Sequence, residues 1–207
     1  MMPLYGMRWT LLLLTSCGGC ASVSVRYYTL TPIAVPAAAI SLRASVPADA
    51  VSVRLPTQDS RSEMIVRHGN GELVLLDNER WASPLADQIR DAVRIELQRE
   101  FNGSPAFGSE QGPIRVLIDV QRMDAELDRY TVLEATWTGE LASSSPGKAG
   151  SQTCTFRSYE PIGPGYDGIV QGYQRQVQAL AAAIGAEIIS SLATGHGGCG
   201  AKTLAHR

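Results

Sequence analysis

The chain carries little with which to do chemistry. It has no glycine-rich phosphate loop between a strand and a helix, no zinc-binding helix motif and no serine nucleophile elbow, and the nearest approach, Gly69-Asn70-Gly71, falls in a hairpin turn. Histidines number three. His68 falls at a turn edge and His196 and His206 in a glycine-rich tail, so they read as surface residues and not as general bases. His196 beside Cys199 falls short of the three or four ligands a metal takes, so no metal and no cofactor are expected. Eighteen Lys and Arg against twenty Asp and Glu leave a net charge of -2, with no basic stripe, which excludes the electrostatic footprint of a nucleic-acid binder. No internal repeat is present. The apolar run at Leu11 to Leu14 is too short to span a bilayer, which takes ~20 residues.

That run is nonetheless the most informative segment. Arg8 and Trp9, then leucines, then Thr15-Ser16-Cys17-Gly18-Gly19-Cys20 have the order of a secretory signal ending at a cysteine, a pattern that resembles a bacterial lipobox. Leu14-Thr15-Ser16 ahead of Cys17 fits that pattern better than Cys17-Gly18-Gly19 ahead of Cys20. Cys17 is therefore the expected site of the covalent diacylglycerol and N-acyl lipid, with Cys20 as the alternative. A cleaved signal without lipid, releasing a soluble secreted protein, is the plainer reading. Gly18 follows Cys17 and Ala21 follows Cys20; neither is the aspartate that retains lipoproteins at the inner membrane, so either cut predicts the periplasmic face of the outer membrane.

The organisation expected is a signal at 1–16, a lipidated tether and linker at 17–39, one domain at 40–194, and a flexible glycine-rich tail at 195–207. Within the domain, Val51, Val53 and Leu55 alternate with polar residues as a half-buried strand does, and Pro56 closes the run. Met64–His68 and Leu73–Leu76 read as a hairpin around Asn70-Gly71. Ser83 as N-cap and Pro84 in the first turn start a helix whose Leu85, Ile89, Ala92, Val93 and Leu97 share one face. Asp87, Arg90, Asp91, Arg94 and Glu96 fall largely opposite, and Asp77, Glu79, Asp87 and Asp91 suit the positive end of the helix dipole. Strands follow around Val116–Gln121, Leu133–Leu141 and Cys154–Glu160, then a helix from about Asp167 to Ala193 with Ile169, Tyr173, Val177, Leu180, Ile184, Ile188 and Leu192 on one stripe. The fold class is α+β, a two-layer sandwich with two amphipathic helices on one face of a mostly antiparallel sheet. A buried Cys154 with a free Cys199 is the preferred reading; a pairing of the two in an oxidising compartment is the alternative. Trp81 reads either as a ligand-facing aromatic or as a plug fixing the entry to the helix.

Tyr27-Tyr28-Thr29-Leu30 after the cysteines, Val53-Arg54-Leu55-Pro56, Met64-Ile65-Val66-Arg67, Ala135-Thr136-Trp137 and above all Leu75-Leu76-Asp77-Asn78-Glu79-Arg80-Trp81-Ala82-Ser83-Pro84-Leu85 together resemble the PqiC (YmbA-like) family of ABC-type transport auxiliary lipoproteins. Ser62, where that family often has proline, and the tail with Cys199 depart from it. The resemblance implies a noncatalytic outer-membrane lipoprotein that docks an MCE-domain periplasmic protein, served by an inner-membrane permease and ATPase, in lipid traffic between the membranes. It also implies a homo-oligomer. Tyr27, Tyr28, Arg80 and Trp81 are the candidate partner-binding residues. The alternatives are a lipid carrier with its own cavity and a periplasmic hydrolase built from residues such as His68, Asp119, Glu134 and Tyr159. With Cys17 as the lipid site, Cys17→Ala moves the protein from the membrane to the soluble periplasmic fraction while Cys20→Ala leaves it anchored. Fractionation with palmitate labelling of each variant checks this, and continued anchoring of Cys17→Ala would assign the lipid to Cys20.

Overall fold

The computed structural model describes residues 24–31, 46–104, 113–141, 150–194 and 198–199. The signal segment, Cys17 and Cys20 lie outside the described residues, as do most of the linker and most of the tail. The elements run β1 (Arg26–Tyr28), β2 (Val51–Arg54), β3 (Glu63–Arg67), β4 (Leu73–Trp81), α1 (Leu85–Gly103), β5 (Ile114–Glu126), β6 (Tyr130–Leu141), β7 (Gly150–Pro161) and α2 (Gly165–Thr194). All seven strands form one mixed sheet in the order β1-β4-β3-β5-β6-β7, with β2 also on β5, and both helices cover one face. The α+β class expected from the sequence is therefore observed.

The antiparallel ladders are the long ones: β5, β6 and β7 pair along almost their whole lengths, and β3 pairs with β4. Their period of two sends Ile114, Val116, Ile118 and Val120 of β5 and Leu133, Ala135 and Trp137 of β6 into the core. A register shift between Val120 and Arg122 leaves Gln121 as the extra residue of a bulge, after which Met123 and Ala125 take over the inward face. Parallel pairing supplies the rest: β1 on β4, β2 on β5, and Arg67 of β3 opposite Glu126 of β5. Strands β2 and β3 thus lie one after the other along the same edge of β5. Thirteen residues separate Arg54 from Arg67 while seven separate their partners Asp119 and Glu126, and the surplus forms a 3-10 turn at Thr57–Ser60.

Three local expectations are corrected. Strand β4 does not stop at Leu76 but continues to Trp81. The register moves from Met64 opposite Leu76 to Glu63 opposite Arg80, so the bulge at Asp77–Glu79 exchanges the faces and breaks the alternation that marks a strand. Helix α1 is capped at Pro84 without a side-chain hydrogen bond, not by Ser83. The Pro84 carbonyl accepts from the Asp87 and Gln88 amides, and Gln88 Nε2 donates to the Ser83 carbonyl at 3.1 Å. Glu96 does not lie on the wet face; it is buried, its Oε2 accepting from Arg99 at 2.5 Å. At the hairpin only Gly71 takes a positive φ, 88°, closing a three-residue loop with the His68 amide donating to the Glu72 carbonyl at 2.9 Å.

Helix α2 is long and apolar enough by length and composition to cross a membrane. Here Ile169, Tyr173, Val177, Leu180, Ile184 and Ile188 lie buried against β6, β7 and α1, while Gln171, Arg175 and Ser190 face outward. Buried Gln176 sends Nε2 to the carbonyls of Thr131 at 3.0 Å and Ser158 at 3.1 Å, tying the helix to two strands. Its amino end is seated by the Gly165 amide donating to Asp128 Oδ1 at 2.6 Å. Gly168 then passes so close to the preceding loop that a Cβ there would lie 2.1 Å from the Gly163 carbonyl oxygen. Gly168→Ala should therefore lower stability by about 2–3 kcal/mol, as overpacking against backbone does. Urea unfolding at constant m-value checks it, and an unchanged midpoint would show that the approach is slack.

Candidate partner-binding face

The amino-terminal strand is held by a buried carboxylate. Glu79, near the end of β4, is 6% exposed, and such a charge is tolerable only when donors surround it. Arg26 donates to Oε1 through Nε at 3.0 Å and Nη2 at 2.5 Å, and the Tyr28 hydroxyl donates to Oε2 at 2.8 Å. Burial, then the hydrogen bond to the carboxylate, pushes the Tyr28 hydroxyl well above its ordinary value, so it stays a donor. The Arg26 guanidinium also lies 5.8 Å from the Tyr166 ring centroid. Beyond β1, the Leu30 amide donates to Gln88 Oε1 at 2.7 Å, Gln174 Nε2 to the Thr29 carbonyl at 2.9 Å, and the Leu30 side chain is fully buried. Both helices and the sheet thus grip the segment. Glu79 was expected among carboxylates serving the dipole of α1; its charge is met instead by Arg26, 53 residues away, which no local pattern reveals.

Register divides the four candidate residues between two faces. Tyr27 pairs with Arg80, and Arg80 with Glu63, on the open side of the sheet; Tyr28 pairs with Trp81 on the helix side. Tyr27 is 65% exposed. Arg80 is held by its Nε donating to the Asp77 carbonyl at 3.0 Å and by Glu63 at 3.4 Å, with its guanidinium still reachable from solvent. Trp81 is buried, its ring 6.3 Å from that of Tyr173, so the plug is what the structure shows and a partner cannot reach it. Tyr28 is likewise committed to Glu79. The open face also carries Ile65, Leu73 and Leu75, the last two among the exposed large apolar residues together with Val25 and Tyr159.

The residues named for a hydrolase do not converge. His68 sits exposed at the β3–β4 turn, Asp119 exposed on β5, Glu134 on β6 at 3.9 Å from Arg122, and Tyr159 on β7 stacked on Tyr130 at 5.0 Å. None lines the small cavity beside the 3-10 turn, about 20 Å³, bounded by residues including Asp59, Met64, Trp81, Met123 and Tyr173. That volume suits one water molecule and no acyl chain. Among the described residues no group of three or more His, Cys, Asp and Glu is placed to hold a metal. Cys199 is not free: it is joined to Cys154 in a disulfide with their Cα atoms 5.6 Å apart, which fastens Cys199 to β7.

The profile of ABC-type transport auxiliary lipoprotein components matches residues 28–185. The chain belongs to that family. The match starts at Tyr28, the last residue of β1, and spans every later element except the end of α2, so this auxiliary lipoprotein is, by membership, a component of an ABC-type transport system. The comparison with curated proteins finds no match. Among solved structures, an uncharacterized protein is similar over 80% of this chain and 99% of its own, with a TM-score of 0.59 and 18% identity, which shows a shared fold. A Xanthomonas campestris protein of the DUF330 family is similar over 70% of this chain and 82% of its own, at 19% identity and a TM-score of 0.45. A Caulobacter crescentus protein described as a lipoprotein covers 52% of this chain and 85% of its own, at 11% identity and a TM-score of 0.37.

Asp59 ties the stability of the fold to pH. Half-buried in the 3-10 turn, with Oδ2 unpaired among the described residues, its carboxyl is raised to about 6, first by burial and then by the Asp124 charge. A carboxyl with a raised folded-state pKa binds its proton more tightly when folded, so stability is highest below the unfolded pKa and falls as pH rises through about 6. Asp59→Asn should match the parent near pH 4 and gain roughly 2–4 °C in Tm at pH 7.5, about 1 kcal/mol after allowing for solvent screening. Thermal melts at both pH values decide it; an equal gain at pH 4 would remove the carboxyl as the cause.

Proposed function

We propose that this auxiliary lipoprotein is a noncatalytic adaptor, anchored in the outer membrane through Cys17 or Cys20, that docks the MCE-domain periplasmic protein of an ABC-type lipid transport system. The permease and ATPase of that system are separate inner-membrane chains, and the adaptor acts as a homo-oligomer. The observation that carries the reading is the family match over the folded core, joined to a signal that ends in cysteines.

The open face of the sheet supports a binding role. Tyr27 and Arg80 stand side by side there, an exposed aromatic and a guanidinium of the kind that dominates binding hot spots. The packing between sheet and helices favours the adaptor over a carrier, because the cavity near Trp81 and Tyr173 is far too small for a lipid tail. The scattering of His68, Asp119, Glu134 and Tyr159 gives the hydrolase reading no assembled site.

Affinity purification of the full acylated chain from detergent extracts tests the reading, with the MCE protein as the expected companion. Tyr27→Ala together with Arg80→Gln should cut its recovery about tenfold, the cost of roughly 1.4 kcal/mol at an interface, while circular dichroism shows the variant still folded. Failure to recover any MCE protein with the parent chain would overturn the proposal.

A further inference from the structure

The direction in which the chain enters the sheet selects the end of the domain that faces the membrane. Strand β1 runs parallel to β4, with Arg26 opposite Glu79 and Tyr28 opposite Trp81. The chain ahead of β1 therefore comes from the side on which β4 begins, the side of the β3–β4 turn. At that end the open face carries Leu73 at 53% exposure and Leu75 at 42%, and Val25 at 39% lies where the tether joins. Leucines this exposed at neighbouring positions of one strand face leave apolar surface in water unless something covers it.

Chain length limits what can lie there. Glu79 to Leu73 is six residues of β4, ~20 Å of strand. Cys17 to Val25 is eight residues, which reach at most ~28 Å, and Cys20 to Val25 is five, at most ~18 Å. A tether from Cys17 is therefore long enough to set the lipid anchor beside the hairpin turn, and one from Cys20 comes within a few Å of it.

We infer that the β3–β4 hairpin rests on the bilayer, with Leu73 and Leu75 entering the headgroup–acyl boundary beside the lipidated cysteine. This rests on the lipid anchor of the proposed function. It adds a second membrane contact that fixes the orientation of the domain: the hairpin end of the sheet lies on lipid, and the end bearing Glu140 points into the periplasm. The lipid surface supplies the cover that the leucines lack, as apolar side chains at an interface are buried by ~5–10 Å.

The test uses the full acylated chain in vesicles of phosphatidylethanolamine and phosphatidylglycerol, with a fluorescent amino acid replacing Leu73 in one preparation and Glu140 in another, and doxyl-labelled lipid as quencher. The label at 73 should lose about half its emission and the label at 140 should keep it, as the interfacial depth of the hairpin requires. Protein that does not float with the vesicles would refute the anchor itself. Protein that floats while the label at 73 stays unquenched would refute the hairpin contact and leave the anchor standing. A blue shift at 73 without quenching would assign the leucines to a second copy of the chain, and equal quenching at 73 and 140 would show a domain lying without preferred orientation; either overturns the inference.

Discussion

The carboxylate of Glu79 is the fixed point of the molecule. It is buried at the edge of the sheet, and its cost is offset because Arg26 and Tyr28, two residues apart on one strand, both aim donors at it. Removing either donor would leave a partly unmet charge inside the protein, which is far more damaging than never having buried it. A strand of three residues has little stability of its own, so this cluster, with Leu30 in the core behind it, is what makes β1 part of the fold. Any force applied to the amino terminus reaches the domain through it.

The sequence disclosed what depends on short-range periodicity. Both helices are legible because their apolar stripes recur every three or four residues, and β6 is legible because Leu133, Ala135 and Trp137 alternate with polar neighbours. The edges of the sheet are not legible in the same way. The alternation of Val51 and Val53 marks β2 as a strand, but parallel β1 and β2 meet partners more than fifty residues on, so no local pattern shows which strand each joins. Bulges hide the remainder: at Asp77–Glu79 the inward face passes from even to odd positions, so the end of β4 looks like a loop.

The candidate site shows the same division. Tyr27 and Arg80 are on an accessible surface, while Tyr28 and Trp81, neighbours in sequence and of similar type, are structural. Only register separates them, and register here follows from a bulge. Glu79 and Gln88 carry no signal that would mark them, since their partners Arg26 and Leu30 are distant along the chain and polar residues at such positions are ordinarily solvated. Membership of a transport-auxiliary family fits a domain whose distinctive polar groups are engaged in holding strands and helices together, with its accessible aromatic and apolar residues gathered on the uncovered face of the sheet.

The disulfide between Cys154 and Cys199 divides the sulfur chemistry of the chain into two territories. Of four cysteines, two are joined at the carboxy-terminal side of the fold, enclosing all of α2 in a covalent loop, and the other two stand three residues apart at the amino terminus. On the proposed anchor, the thiol that would carry the lipid, Cys17 or Cys20, is not one the disulfide of the domain uses. Oxidation of the domain and acylation of its tether then draw on different sulfurs, and neither step consumes one the other needs.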